Sequence, residues 1–67
     1  MNIQVKFGQK LKELRLEKRL TQEKLAHLAE IDRTYLPGIE KGERNVSLSV
    51  IDKLSKALNI EIKDFFI

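Results

Sequence analysis

Apolar residues recur at helical spacing through most of the chain, and short polar or glycine-containing stretches interrupt them. Phe7, Leu11 and Leu14 fall four and three residues apart, which places them on one helix face. They predict a first helix from about Gln4 to Lys18, with Leu20 continuing its core into the turn. Gly8 inside this helix costs about 1 kcal/mol relative to alanine. It marks a close packing contact. Thr21 accepts a free backbone N–H well, so a second helix starts there and runs to near Glu30. Leu25, Leu28 and Ala29 make its buried face, with Ala26 at a packing contact. Ile31 and Asp32 form a turn, and Asp32 caps a third helix from Arg33 to about Glu40 that points Leu36 and Ile39 inward. Gly42 suits the left-handed conformation that closes a helix. Ser47 caps a fourth helix, Leu48 to Leu58, in which Leu48, Ile51, Leu54 and Leu58 keep helical register and Asn59 ends the run. A fifth, short helix from about Glu61 to Phe66 carries Ile62, Phe65 and Phe66, with Ile67 after it. The pattern is all-α.

Length narrows the function classes. The 67 residues make one domain. A domain of this size buries only about 60% of its unfolded surface, so a core leaves no room for a deep catalytic cleft. No nucleophile–base pair, metal-ligand spacing or phosphate loop is present, which argues against an enzyme and implies no cofactor or metal. The single histidine, His27, lies between core positions without a partner and is expected to face solvent. There are no cysteines, which excludes disulfides and thiolate metal sites and fits a reducing compartment. No apolar run approaches the roughly 20 residues of a membrane span, and residues 1–6 lack the apolar stretch of a signal peptide. The expectation is a cytoplasmic protein without a membrane partner.

Charge adds less than the pattern does. The formal net charge is +3, a weak pointer to nucleic acid. Residues 1–20 carry six basic and two acidic side chains, whereas residues 21–45 carry four basic and five acidic. The layout of those middle residues is more specific. Two short helices joined by a tight turn form a DNA-binding helix-turn-helix when the first packs closely on the second. Ala26 provides the small residue for that crossing, over about residues 21–40. Leu36 and Ile39 occupy one side of the second helix, leaving its other side free to enter a groove about 12 Å wide.

The segments Leu20-Thr21-Gln22-Glu23-Lys24-Leu25-Ala26, Ile31-Asp32-Arg33-Thr34-Tyr35-Leu36 and Gly38-Ile39-Glu40-Lys41-Gly42 resemble the Cro/repressor-type helix-turn-helix family. Ser47-Leu48 through Ala57-Leu58, with Asp64-Phe65-Phe66, resembles that family's last two helices. Within it, Asp32-Arg33-Thr34-Tyr35, Gly38-Ile39-Glu40 and Arg44-Asn45 look most like the controller proteins of restriction–modification systems. The resemblance implies a five-helix, lambda-repressor-like domain over residues 1–67 that regulates transcription by binding a double-stranded DNA operator. It also implies roles. Arg33 and Thr34 would read bases, with Tyr35 at a base edge or the backbone. Gln22 would hold a phosphate and brace the start of the recognition helix, while Lys41, Arg44 and Asn45 would hold phosphates. Arg15 and Glu40 would form a structural ion pair.

Pro37 departs from the family pattern. In a helix that starts at Arg33 it removes a backbone hydrogen bond, so either that helix is kinked or its first turn is looser. Its ring could also touch a thymine methyl. The C-terminal segment holds more apolar side chains than one small core absorbs. Ile62, Phe66 and Ile67 are therefore expected at the two-fold interface of a homodimer, with Phe65 in the core. Such a dimer reads a near-palindromic operator with half-sites about 34 Å apart. The competing function is a protein-interaction module of the same fold, such as an antitoxin holding a partner protein.

Overall fold

The computed structural model describes residues 2–67. The regular elements are α1 (Ile3–Glu17), α2 (Gln22–Ala29), α3 (Tyr35–Lys41), α4 (Leu48–Leu58) and a closing 3-10 helix (Ile62–Phe66). Among the described residues there is no strand. The all-α expectation holds, but the count is four α-helices rather than five. The fifth segment, five residues long, is wound as a 3-10 helix, the tighter form that proteins use in short pieces.

Side chains start three of these helices. Asn2 Oδ1 accepts the Val5 N–H at 2.8 Å, Thr21 Oγ1 the Lys24 N–H at 3.0 Å and Ser47 Oγ the Val50 N–H at 3.2 Å. All four α-helices end with the same paired hydrogen bonds around one left-handed residue, the Schellman arrangement. At α3, Gly42 (φ 77°) donates to Ile39 and Glu43 donates to Gly38. At α1, α2 and α4 the left-handed residue is Arg19, Glu30 or Asn59 instead of glycine. Each of those is followed by an apolar residue, Leu20, Ile31 or Ile60, that packs against the core. That burial offsets the steric penalty of a side chain in this conformation.

α1 packs chiefly on α3, and α2 on α4. Phe7, Leu11, Leu25, Leu36, Leu54, Leu58 and Phe65 fill the space between them. The α1–α3 contact is close because Gly8 has no side chain. A Cβ there would lie 2.3 Å from the Ile39 carbonyl oxygen and 2.7 Å from that of Glu40.

Two leucines are exposed, Leu48 in the apolar register of the fourth helix and Leu28 from the face of the second expected to be buried. Leu48 is 84% exposed at the first position of α4, and Val46 from the preceding loop packs against the core. Leu28 is 45% exposed, because Leu25, Ala26 and Ala29 form the buried seam of α2 and leave Leu28 on its rim.

The third helix also begins two residues later than its pattern suggests, at Tyr35. Asp32 Oδ1 accepts both the Thr34 N–H (2.8 Å) and the Thr34 hydroxyl (2.7 Å), and the Asp32 carbonyl accepts the Tyr35 N–H. Residues 33–34 are thereby held in a turn. Pro37 becomes the third residue of α3, where backbone N–H groups have no partner within the helix. The looser first turn, rather than a kink, accommodates the proline.

Candidate nucleic-acid interface

The backbone of residues 32–35 decides which side chains reach solvent together. The turn closed by Asp32 projects Arg33, Thr34 and Tyr35 outward, and all three are exposed. Leu36 and Ile39, one helical face away, are buried, and Pro37 is half-buried between the two sides. Lys41, Arg44 and Asn45, at and beyond the end of α3, are also exposed. The chain therefore gathers the positions assigned to base and phosphate contact around one helix that its inner face anchors.

That anchor is ionic as well as apolar. Arg15 Nε and NH2 donate to the two Glu40 carboxylate oxygens at 2.7 and 3.0 Å, and Arg15 NH1 donates to the Leu20 carbonyl at 2.7 Å. Both side chains are almost fully buried. Gln22 Nε2 adds a third donor to Glu40, at 3.0 Å. The bracing contact of Gln22 thus runs to Glu40 near the end of α3 and not to the start of that helix. No buried side-chain nitrogen or oxygen is left without a partner among the described residues. The network joins α1, α2 and α3 through one carboxylate.

Sequence reasoning missed three contacts at the surface. Arg33 NH1 donates to Glu23 Oε2 at 2.8 Å, joining the α2–α3 turn to the first turn of α2. The Arg44 guanidinium lies 5.0 Å from the Tyr35 ring centroid, within cation–π range. Gly38 leaves the surface along which Arg44 lies, since a Cβ there would touch the Arg44 side chain at 3.2 Å. Asn45 is hydrogen-bonded through Oδ1 to Gln4 of α1. None of the three was signalled by the residue types, because the partners lie ten, nine and forty-one positions apart and meet only through the fold.

The electrostatics follow. Glu40 is neutralised by Arg15, and Glu23 is paired with Arg33. The carboxylate of Asp32 is held below the usual aspartate range, first by the Thr34 backbone N–H, then by the Thr34 hydroxyl, with a smaller contribution from Arg33. The acidic surplus of residues 21–45 is thus largely spoken for within the protein. His27 faces solvent, and among the described residues no cluster of metal-ligating side chains occurs.

Ile62 and Phe66 are each about two-fifths exposed and Ile67 is 81% exposed, whereas Phe65 is buried. Phe66 also walls a cleft of about 130 Å³ with Ile3, Phe7, Val46 and Ile51. Among the described residues no helix is long and apolar enough to cross a membrane.

Comparison with known proteins agrees with this fold. Residues 11–65 match the family described as Helix-turn-helix. The control protein C.BamHI of Bacillus amyloliquefaciens is 52% identical over 64 residues, covering 94% of this chain and 79% of that protein. The control protein C.MunI of Mycoplasma sp is 47% identical over 66 residues, covering 97% and 89%. The crystal structure of the restriction-modification controller protein C.AhdI from Aeromonas hydrophila superposes with a TM-score of 0.90 at 56% identity, covering 92% of this chain and 94% of that one.

Proposed function

Because the chain belongs to the helix-turn-helix family, with restriction–modification controller proteins among its relatives, we propose that it is a sequence-specific DNA-binding transcriptional regulator of that kind. The observation that carries this reading is the outward ridge of Arg33, Thr34 and Tyr35, in the turn and at the start of a helix whose inner face is locked by Leu36, Ile39 and Glu40. Residues 1–67 act as one DNA-binding domain. Arg33 offers a two-donor fork to guanine O6 and N7, worth about 1–3 kcal/mol of discrimination. Thr34 and Tyr35 read neighbouring edges, and the Pro37 ring lies against the groove. Gln22, Lys41, Arg44 and Asn45 hold phosphates, which fixes register and salt dependence but carries no sequence information.

The protein works in the cytoplasm as a homodimer. One unit buries little surface on DNA, and two units displace the exposed Ile62, Phe66 and Ile67 from water. The two recognition helices then read a near-palindromic operator with half-sites about 34 Å apart.

Selection from random duplex DNA tests the reading. A palindromic motif should be enriched, Arg33→Ala should lose discrimination, and Lys41→Ala should weaken all duplexes alike and flatten the salt dependence. Enrichment of no motif would refute it and favour the protein-interaction module. A strict monomer by sedimentation at high concentration, with operator present, would refute the dimer.

A further inference from the structure

The pairing of Arg33 with Glu23 has no role in the reading above. We infer that Glu23 is a specificity-determining residue that acts through Arg33: it holds the guanidinium off phosphate and leaves its guanine-reading edge free. The inference rests on the proposed base-reading role of Arg33.

Two arginines in this protein meet a glutamate in different ways. Arg15 gives Glu40 its Nε and NH2 groups, so its parallel two-donor edge is consumed. Arg33 gives Glu23 only NH1. Its Nε–NH2 edge remains available, and that edge has the donor spacing guanine O6 and N7 require. Both ends of the contact are fixed by backbone. Glu23 is the second residue of α2, behind the Thr21 cap, and Arg33 sits inside the turn closed by Asp32 and Thr34. The pair lies at the surface, with side chains 71% and 73% exposed. It therefore biases the rotamers of Arg33 and does not stabilise the fold appreciably.

The bias has a sign on DNA. A free Arg33 would drop onto any nearby phosphate and strengthen binding to every sequence. A carboxylate beside it repels the backbone and competes for the guanidinium, so random DNA is disfavoured. A guanine at the matching position bonds to the other edge without breaking the pair. Glu23 thus lowers non-specific affinity more than operator affinity.

The test uses the full chain, with the selected operator and a scrambled duplex of equal length, titrated by fluorescence anisotropy at several salt concentrations. Four proteins are compared: the parent, Glu23→Gln, Arg33→Ala and the double variant. Glu23→Gln should tighten binding to the scrambled duplex about two- to fivefold, the bias of an exposed pair. Operator binding should gain less, so the ratio of the two falls. In the Arg33→Ala background, Glu23→Gln should shift both duplexes by one common factor. Equal shifts on both duplexes in the parent background, with Arg33→Ala still losing discrimination, would overturn the role of Glu23 alone. Full discrimination by Arg33→Ala would overturn the base-reading role and this inference with it.

Discussion

Replacing Gly8 by alanine sets local preference directly against packing. Alanine in a helix interior is favoured over glycine by about 1 kcal/mol, so an isolated α1 would gain from the change. In the folded protein the added methyl meets the Ile39 oxygen at 2.3 Å, the Glu40 oxygen at 2.7 Å and the Glu40 carbonyl carbon at 2.9 Å. Every one of those atoms is backbone, so no flexible side chain swings away. α1 and α3 must separate by about an ångström, opening the layer that holds Phe7, Leu11, Leu36 and Ile39. Overpacking costs about 1–3 kcal/mol, and against backbone atoms the upper part of that range applies, so a net loss of about 1–2 kcal/mol remains after the propensity gain. Thermal unfolding followed by circular dichroism should show a midpoint lower by about 4–8 °C for each kcal/mol lost. Gln9→Ala, at the exposed neighbouring position, should leave the midpoint unchanged or raise it. A Gly8→Ala protein as stable as its parent would refute the close α1–α3 contact.

Arg15→Ala strips Glu40 of two hydrogen bonds and leaves its carboxylate buried; denaturant titration should register a loss of about 3–5 kcal/mol, largely restored in Arg15→Met/Glu40→Leu. A loss below about 1 kcal/mol would mean that water reaches the network. Asp32 has a folded-state pKa below its unfolded value, so its contribution is present above about pH 4 and disappears as pH falls through the lowered value. Carboxyl NMR should find its midpoint below that of ordinary aspartate, and Thr34→Val should move it upward. Pro37→Ala should change stability by less than about 1 kcal/mol, because the third residue of α3 has no intrahelical bond to recover. A gain near 3 kcal/mol would place the proline in a helix interior after all.

Capping residues made much of the fold legible. Thr21 and Ser47 each accept one specific N–H, and the helices behind them begin where those hydroxyls indicate. Gly42 and Asn59 marked two ends correctly, while Arg19 and Glu30 gave no sign of adopting the left-handed conformation. Apolar spacing was a weaker guide in short helices. The eight residues of α2 admit more than one buried face, and Leu28 was assigned to the wrong one. At the candidate interface, residue types identified which side chains face out. They did not reveal that Asp32 would fold back onto Thr34 and delay α3, or that Glu23 would take hold of Arg33. The first is a local contact two residues on, which competes with the capping position Asp32 would otherwise take; the second depends on how α2 is set against the turn, a relation between elements rather than a property of either.

Phe7 and Gly8 are consecutive. The Phe7 ring touches both Phe65 and Phe66, at 4.8 and 5.9 Å between centroids, while Gly8 lies against the α3 backbone. In the proposed dimer, the seam between subunits and the helix inserted into DNA would be joined by a single stiff turn of α1. Such a joint has no slack. An operator lengthened by one base pair at its centre would have to be met by twisting the DNA rather than by flexing the protein, so tolerance to insertions should be poor.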